Sequence, residues 1–202
     1  MKNIRFHGLF IGLVATMLLG GCSSVAKIVF GIKELKAYDQ RTVDSFLEES
    51  QRRMACIQIV ATSNQVDSTI RLDPDSNMMQ HRAQPVQILY FEGDSLLFYH
   101  INCYTQNGFL SFDWNNYGSF NSFPPKPSIV ADTHKCMTME NFRAIYPEIT
   151  STTNYTVVII WSNLLRKVSQ KAVATVADNI NNRDDCSVVL INTDHWWVDY
   201  LN

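Results

Sequence analysis

The sequence predicts a mixed α/β fold, and three observations on the 202-residue chain carry this prediction. Near the C-terminus, Tyr155–Trp161 and Cys186–Asn192 are apolar runs rich in β-branched residues, typical of strands buried on both faces. Between them, apolar residues recur at helical spacing from Leu165 to Ile180. In the centre, strand-like runs separated by turn residues predict an antiparallel meander over residues 86–114. We therefore expect a C-terminal β-α-β unit with parallel strands, joined to the meander and to flanking helices.

The first residues are typical of an export signal. Lys2 and Arg5 are followed by uncharged, mainly apolar residues 8–20, a run too short to cross a bilayer comfortably. Residues 19–22 are Leu-Gly-Gly-Cys, which resembles the lipobox of bacterial lipoproteins. The resemblance implies removal of residues 1–21, a diacylglyceryl group on Cys22, and acylation of the new amino terminus with a fatty acid such as palmitate.

This resemblance sets the expected domain organisation and location. Residues 22–40 become a lipidated tether, and residues 41–202 a single α/β domain. The membrane is then a partner through the lipid anchor, and Ser23 is not the aspartate that retains lipoproteins in the inner membrane. We expect an outer-membrane lipoprotein that faces the periplasm or the surface. The formal net charge of −2 gives no reason to expect nucleic acid as a partner.

The N-terminal half of the domain is predicted from shorter patterns. Apolar spacing predicts a first helix over residues 42–53, with Thr42 as its cap. Residues 55–62 are expected to form a strand. The polar stretch that follows contains only Ile70 and Leu72 as a brief extended patch.

Turn residues separate the predicted elements in the middle of the chain. The Asn107-Gly108 step is a hairpin signal within the meander. Residues 115–128 are expected to form an aromatic loop broken by prolines. A short helix within residues 135–149 should end at Pro147, which cannot continue a helix.

The start of the long C-terminal helix carries a second resemblance. Residues 161–166 are Trp-Ser-Asn-Leu-Leu-Arg, directly after an apolar strand, and residues 153–194 resemble the β-α-β core of the thioredoxin-like fold. Ser162 and Leu165 stand where that family carries its two redox cysteines. The resemblance therefore implies the fold without thiol-disulfide chemistry. Ser162 lacks the Gly-x-Ser-x-Gly surroundings of a nucleophile and is predicted to be the helix N-cap.

The cysteines leave two interpretations open. If Cys22 is acylated, an even four remain, and an exported protein meets oxidising conditions. They are Cys56, Cys103, Cys136 and Cys186. These four permit two disulfides in three connectivities, or buried free thiols. No two of them form a Cys-x-x-Cys motif.

Metal and cofactor sites are not expected. Only His134 and Cys136 bring a histidine and a cysteine close in sequence, and two ligands do not make a zinc site. Asp73 and Asp75 are spaced like the first two ligands of a calcium-binding loop, but the glycine and glutamate that an EF-hand needs at later positions are missing. No glycine-rich phosphate loop is present. We expect no catalytic residues.

Aromatic side chains cluster in two places and have two interpretations. They either cover the ends of the sheet and helices or form an exposed platform for sugar rings or a partner, and burial is the more usual outcome. The residues concerned are Trp114, Tyr117, Phe120, Phe123, Trp196 and Trp197.

Three functional hypotheses follow. The first is a non-catalytic binding or assembly module, tethered to the membrane, with an envelope protein as partner. The second is a divergent envelope redox protein that uses one of the four cysteines, and the third is a glycan-binding surface lipoprotein. The order of lipobox, helix, meander and β-α-β unit is similar to small Bacteroidetes lipoproteins of uncertain function, which implies location and fold and no reaction.

Overall fold

A computed structural model of the protein describes residues 34–72, 81–104, 113–126 and 137–202. The predicted signal peptide, Cys22, Asp73 and Asp75, Asn107-Gly108, His134 and Cys136 lie outside these ranges. Within them the chain forms a five-stranded mixed sheet with helices on both faces, which confirms the α/β class.

Five strands and five α-helices make up the described fold. The strands are β1 (Ile57–Val60), β2 (Gln87–Glu92), β3 (Ser95–Ile101), β4 (Tyr155–Trp161) and β5 (Cys186–Asn192). The α-helices are α1 (Gln40–Gln51), α2 (Ser63–Ile70), α3 (Met139–Ile145), α4 (Arg166–Asn179) and α5 (Asp194–Leu201). Two 3₁₀ helices cover Asn102–Tyr104 and Asn116–Asn121.

The strands are ordered β1-β5-β4-β2-β3 across the sheet. β1, β5 and β4 are parallel neighbours, and Trp161 at the end of β4 lies opposite Asn192 at the end of β5. β2 is antiparallel to both β4 and β3. The predicted β-α-β unit is therefore confirmed as β4-α4-β5, joined to the hairpin through β2.

Two hydrophobic cores hold the layers together, one on each face of the sheet. On the first face, α1 and α4 cover β4 and β5, and the ring of Phe46 stacks on Trp161 with centroids 3.7 Å apart. On the second face, α2 and α3 contribute Val66 and Phe142, and Trp196 of α5 packs at the margin. Because β4 is buried on both faces, its continuous apolar run is explained.

Two predictions for the N-terminal half need correction. Helix α1 begins at Gln40, and Asp39, rather than Thr42, caps it by accepting a hydrogen bond from the backbone N–H of Arg41. The expected extended patch at Ile70 is wrong, because this residue ends helix α2. Thr62 and the residue three positions later form a capping box that starts α2, a signal present in the sequence.

The meander is confirmed for its first two strands. Gly93, with a φ of 55°, lies in the tight turn between β2 and β3, where a left-handed conformation suits glycine. The third predicted strand falls largely in residues 105–112, outside the described ranges. Its last residue, Trp114, lies in a turn and not in a strand.

A histidine on β3 is buried among aromatic rings. His100 is 3% exposed, and the rings of Phe98 and Phe120 lie 5.7 and 4.7 Å from its own. Burial away from water disfavours the charged imidazolium and lowers the pKa of His100 to about 4. Among the described residues its Nε2 atom has no hydrogen-bond partner.

Acid is therefore expected to destabilise the protein through His100. The pKa of His100 is lower in the folded protein than in the unfolded chain, so the unfolded chain binds a proton here at a higher pH. The stability that His100 contributes above pH 6.5 is therefore lost as the pH falls towards 4. The decrease in the free energy of unfolding should reach about 2 kcal/mol by pH 5. Urea denaturation at pH 7.5 and pH 5 measures it. The His100→Leu variant should lose less than the wild type over this interval, and His195→Gln should behave like the wild type. Equal losses in wild type and His100→Leu would contradict the assignment.

Candidate functional site

The carboxyl ends of the parallel strands bring together residues that are distant in sequence. In open α/β sheets this edge is where ligands most often bind. Here β4 is followed by Ser162 and Asn163, and β5 is followed by Thr193 and Asp194. The two segments meet because β4 and β5 are neighbours in the sheet.

The side chain of Asp194 connects these segments. Its Oδ1 atom accepts hydrogen bonds from the Ser162 hydroxyl at 2.6 Å and from the backbone N–H of Asn163 at 2.8 Å. Its Oδ2 atom accepts a bond from Asn163 Nδ2 at 2.7 Å. Asn163 Oδ1 in turn accepts a bond from Arg166 Nη1 at 2.9 Å. Asp194 is 2% exposed, so a buried carboxylate here has three donors around it.

This cluster is a structural clamp and not a nucleophilic site. Ser162 is 0% exposed, so a substrate cannot reach its hydroxyl from solvent. Its hydroxyl also accepts a bond from the Leu164 backbone N–H, in the turn that precedes α4. The predicted N-cap role is wrong, because α4 begins at Arg166 and Leu165 occupies the cap position without a side-chain cap bond. The Ser162 hydroxyl instead donates to Asp194 and accepts from the turn that lies before the helix.

A groove on the second face of the sheet is a candidate for binding. It lies between α2, residues 83–84 and α5, and its volume is about 420 Å³. A smaller cavity shares part of this lining and continues to Ile160 and Thr193, at the ends of β4 and β5. The groove is lined by Asp67, Ile70, Ala83, Gln84, Trp196, Trp197 and Tyr200.

Three aromatic rings of α5 shape this groove. Trp196 and Tyr200, one helical turn apart, stack with centroids 4.9 Å apart and planes inclined by 11°. Trp197 is nearly perpendicular to both rings, with centroids 4.9 and 5.9 Å away. Tyr200 is 68% exposed, whereas the two tryptophans are half-buried. The rings therefore form an L-shaped aromatic wall that remains partly open to solvent.

Helix α5 is fixed against α2 by polar contacts. Trp196 Nε1 donates to Asp67 Oδ1 at 2.7 Å, and the Ser63 hydroxyl donates to Asp199 Oδ2. On its other side, His195 stacks on Tyr38 with ring centroids 3.7 Å apart. The aromatic wall thus stands on a helix that is held from both flanks.

The predicted aromatic clusters divide between the two interpretations. Trp114 and Phe120 are 2% and 6% exposed, which confirms the burial interpretation for them. Tyr117, in the same loop, is 96% exposed. Trp196 and Trp197 contribute to the groove, but its polar members on α2 and in residues 83–84 gave no signal in the sequence.

The three described cysteines form no disulfide with one another. Cys56 and Cys186 are partly buried, and burial raises the pKa of both thiols, that of Cys186 to about 11 with a contribution from the Asp185 charge. Cys103 is exposed and donates to Gln84 Oε1 at 3.0 Å, and partial burial of its sulfur also raises its pKa. Cys136 lies outside the described residues, so the predicted disulfides stay a prediction.

The described ranges contain neither a cluster of metal ligands nor a membrane-spanning helix. Among the described residues, no three histidine, cysteine or acidic side chains are placed to hold a metal ion. Within those ranges, every helix is too short or too polar to cross a bilayer. Neither His100, which is buried, nor His195, which stacks on Tyr38, belongs to a cluster of metal ligands.

No protein-family model, curated protein or solved structure matches this chain. A role for the protein is therefore inferred from the residues of the clamp, the groove and the thiols themselves.

The clamp is expected to stabilise the fold strongly. Asp194→Asn places an amide NH₂ against donors that need an acceptor and should lower the free energy of unfolding by about 2–4 kcal/mol. Asp199→Asn on the same helix is the matched control, since its carboxylate is exposed, and should cost less than about 1 kcal/mol. Urea denaturation at neutral pH measures both. Equal effects of the two substitutions would contradict the clamp.

Proposed function

We propose that the protein is a non-catalytic binding module, held at the envelope membrane by a lipid on Cys22. The observation that carries this proposal is the groove beside α5, with three aromatic rings on a helix fixed from both flanks. Ligand sites are typically concave, rich in aromatic side chains and provided with a few polar groups. The groove combines these properties in a fold that uses its buried serine and aspartate for structure.

The properties of the thiols support binding over redox chemistry. A thiol-disulfide catalyst needs a thiolate of lowered pKa, next to positive charge or a helix start. In Cys56, Cys103 and Cys186 the pKa is raised instead. Raised pKa values disfavour the thiolate form that such chemistry needs.

The thioredoxin-like resemblance of residues 153–194 is part of the proposal. Its support is the parallel arrangement of β4 and β5 around α4, with Ser162 and Leu165 in the two cysteine positions. In such a module the position of the attacking cysteine has become an anchor for Asp194. The strand end would then be kept for stability, while binding takes place at the neighbouring helix.

The tether would bring the groove close to the membrane. Residues 23–37 separate Cys22 from Tyr38, and a fully extended chain of this length spans at most about 50 Å. Tyr38 stacks on His195, so the chain from the anchor arrives at the helix that carries the groove. With Ser23 after the acylated cysteine, we propose the outer membrane as the location.

Glycan binding is the second candidate, and the composition of the groove favours it. Sugar rings present C–H faces that pack on aromatic rings, and hydroxyls that bond to carboxylates and amides. Trp197 and Tyr200 offer ring surface beside the carboxylate of Asp67. An oligosaccharide would fit this pairing better than a purely apolar ligand.

Lipidation is expected to depend on one cysteine. When cells are fed an alkyne analogue of palmitate, the full-length protein should carry the label and sediment with membranes. Cys22→Ser should lose the label and leave the membrane fraction, because the other cysteines lie outside the lipobox. Cys103→Ser is the control and should be labelled normally. A labelled Cys22→Ser protein would exclude the proposed anchor.

Ligand binding at the groove is expected to change tryptophan emission, because Trp196 and Trp197 are partly open to solvent. Soluble oligosaccharides of glucose, mannose and N-acetylglucosamine are the titrants. Trp197→Ala should weaken binding about tenfold through the loss of one stacked ring. Tyr117→Ala removes an exposed ring on the other face and should bind like the wild type. Binding that survives Trp197→Ala would place the site elsewhere, and no response to any sugar would exclude the glycan hypothesis.

A further inference from the structure

A buried glutamine lines the smaller cavity that adjoins the groove. This inner cavity has a volume of about 10 Å³, and it shares Ile70 and Trp196 with the lining of the groove. Gln87, the first residue of β2, lines the inner cavity and is 1% exposed. It lies on the second face of the sheet, because side chains alternate along a strand and Leu89 belongs to the second core. The inner cavity thus adds a polar side chain that the groove itself does not contain.

The amide of Gln87 is held in one orientation. Its Nε2 atom donates to the backbone carbonyl of Arg82 at 2.7 Å and to that of Gln84 at 3.0 Å. Both partners are acceptors, so the nitrogen and oxygen of the amide cannot exchange places without setting oxygen against oxygen. The Oε1 atom is buried and has no hydrogen-bond partner among the described residues. Buried acceptors in native proteins are normally satisfied, so this oxygen calls for a donor.

The hydroxyl groups that line the inner cavity have acceptors of their own. Thr69 donates to a backbone carbonyl one turn earlier in α2, and the Tyr146 hydroxyl, 2.9 Å from the Thr69 oxygen, is left to donate to it. Thr193 donates to the carbonyl of the last residue of β4 at 3.3 Å. None of these three hydroxyl protons is left for Gln87 Oε1.

A positive charge belongs to the same lining. Arg82 is 4% exposed, and its Cζ atom lies 4.1 Å from the centroid of the Tyr99 ring. A guanidinium group is permanently charged and carries donors only. The inner cavity therefore combines an acceptor, Gln87 Oε1, with a cationic group that only donates.

These two groups select the kind of ligand atom that fits between them. A carboxylate would set a second acceptor against Gln87 Oε1, and an ammonium group would add a second positive charge beside Arg82. A hydroxyl group donates and accepts, so it suits both neighbours at once. The volume of about 10 Å³ holds a group of about the size of one water molecule, which suits a hydroxyl and is too small for an amide.

We propose that the inner cavity is a specificity subsite of the groove, in which Gln87 Oε1 accepts a hydrogen bond from the hydroxymethyl group of a neutral hexose. The sugar ring packs on the aromatic wall, and the hydroxymethyl carbon carries the hydroxyl away from the ring into the cavity. This inference rests on the proposed function, and it deepens the glycan candidate by naming the group that the site recognises. A sugar without that hydroxyl would leave Gln87 Oε1 without a donor.

The first test varies the ligand and leaves the protein unchanged. The methyl glycosides of glucose and mannose are compared with their 6-deoxy analogues and with the corresponding uronic acids, which carry a methyl group or a carboxylate in place of the hydroxymethyl group. Tryptophan emission measures the affinities. At least one of the two hexosides should bind about tenfold more tightly than both of its analogues. Equal affinity within both sets, or tighter binding of a uronic acid, would overturn the proposal.

The second test removes the acceptor. Gln87→Met keeps a side chain of similar length and should lose the preference for the hexoside over its 6-deoxy analogue. Gln58→Met is the matched control, because Gln58 lies on the opposite face from Ile59 and donates to the Leu47 carbonyl at 3.2 Å. It should keep the preference of the wild type. An unchanged preference in Gln87→Met would overturn the proposal, and the ligand comparison decides alone if urea denaturation shows that this variant is unfolded.

The third test separates failure of the subsite from failure of the groove. A crystal structure with the tighter hexoside should show its hydroxymethyl oxygen within hydrogen-bond distance of Gln87 Oε1. A water molecule in that place, with the sugar confined to the groove, would overturn the subsite and leave the groove as the binding site. Absence of binding by every glycoside would overturn the subsite together with the glycan candidate.

Discussion

The buried carboxylate of Asp194 is the interaction on which the arrangement of α4 and α5 depends. A charge removed from water is costly unless donors surround it, and three donors from Ser162 and Asn163 do so. Asp194 is also the first residue of α5, where its negative charge interacts favourably with the positive end of the helix dipole. One side chain therefore fixes the turn before α4 and the start of the helix that carries the aromatic wall.

The same network reaches the first helix. Arg166 donates to Asn163 Oδ1 and also to the carbonyl of Thr42 in α1, both at 2.9 Å. A chain of hydrogen bonds thus runs from α5 through the strand ends to α1 without leaving the carboxyl edge of the sheet. Hydrogen bonds fix distances and angles, so this chain of bonds restricts the packing of the helices more strictly than apolar contacts of equal area would.

Local sequence patterns predicted the strands that are buried on both faces and the helix that is buried along one continuous face. The bounds of β4 and β5 were recovered because both strands are apolar on two faces, and the helical spacing from Leu165 to Ile180 marked α4. Helix α2 was missed although its capping box is local, because its polar residues outnumber the buried Val66 and Thr69.

The candidate site depended on contacts that no local pattern contains. Ser162 is predicted to cap α4, but the helix begins four residues later, and the Ser162 hydroxyl donates to a carboxylate 32 positions further along the chain. The groove pairs Trp196 with Asp67, which lies 129 positions earlier. The aromatic residues could be marked as candidates from composition, whereas their polar partners follow only from the packing of α2 against α5.

The position of the proposed anchor has a consequence for affinity. A lipid on Cys22 would confine the groove to within the reach of the segment that leads to Tyr38, which stacks on His195 of α5. A ligand on the same membrane would then meet the groove at an effective concentration set by the length of that segment, so that modest affinity at the groove would suffice.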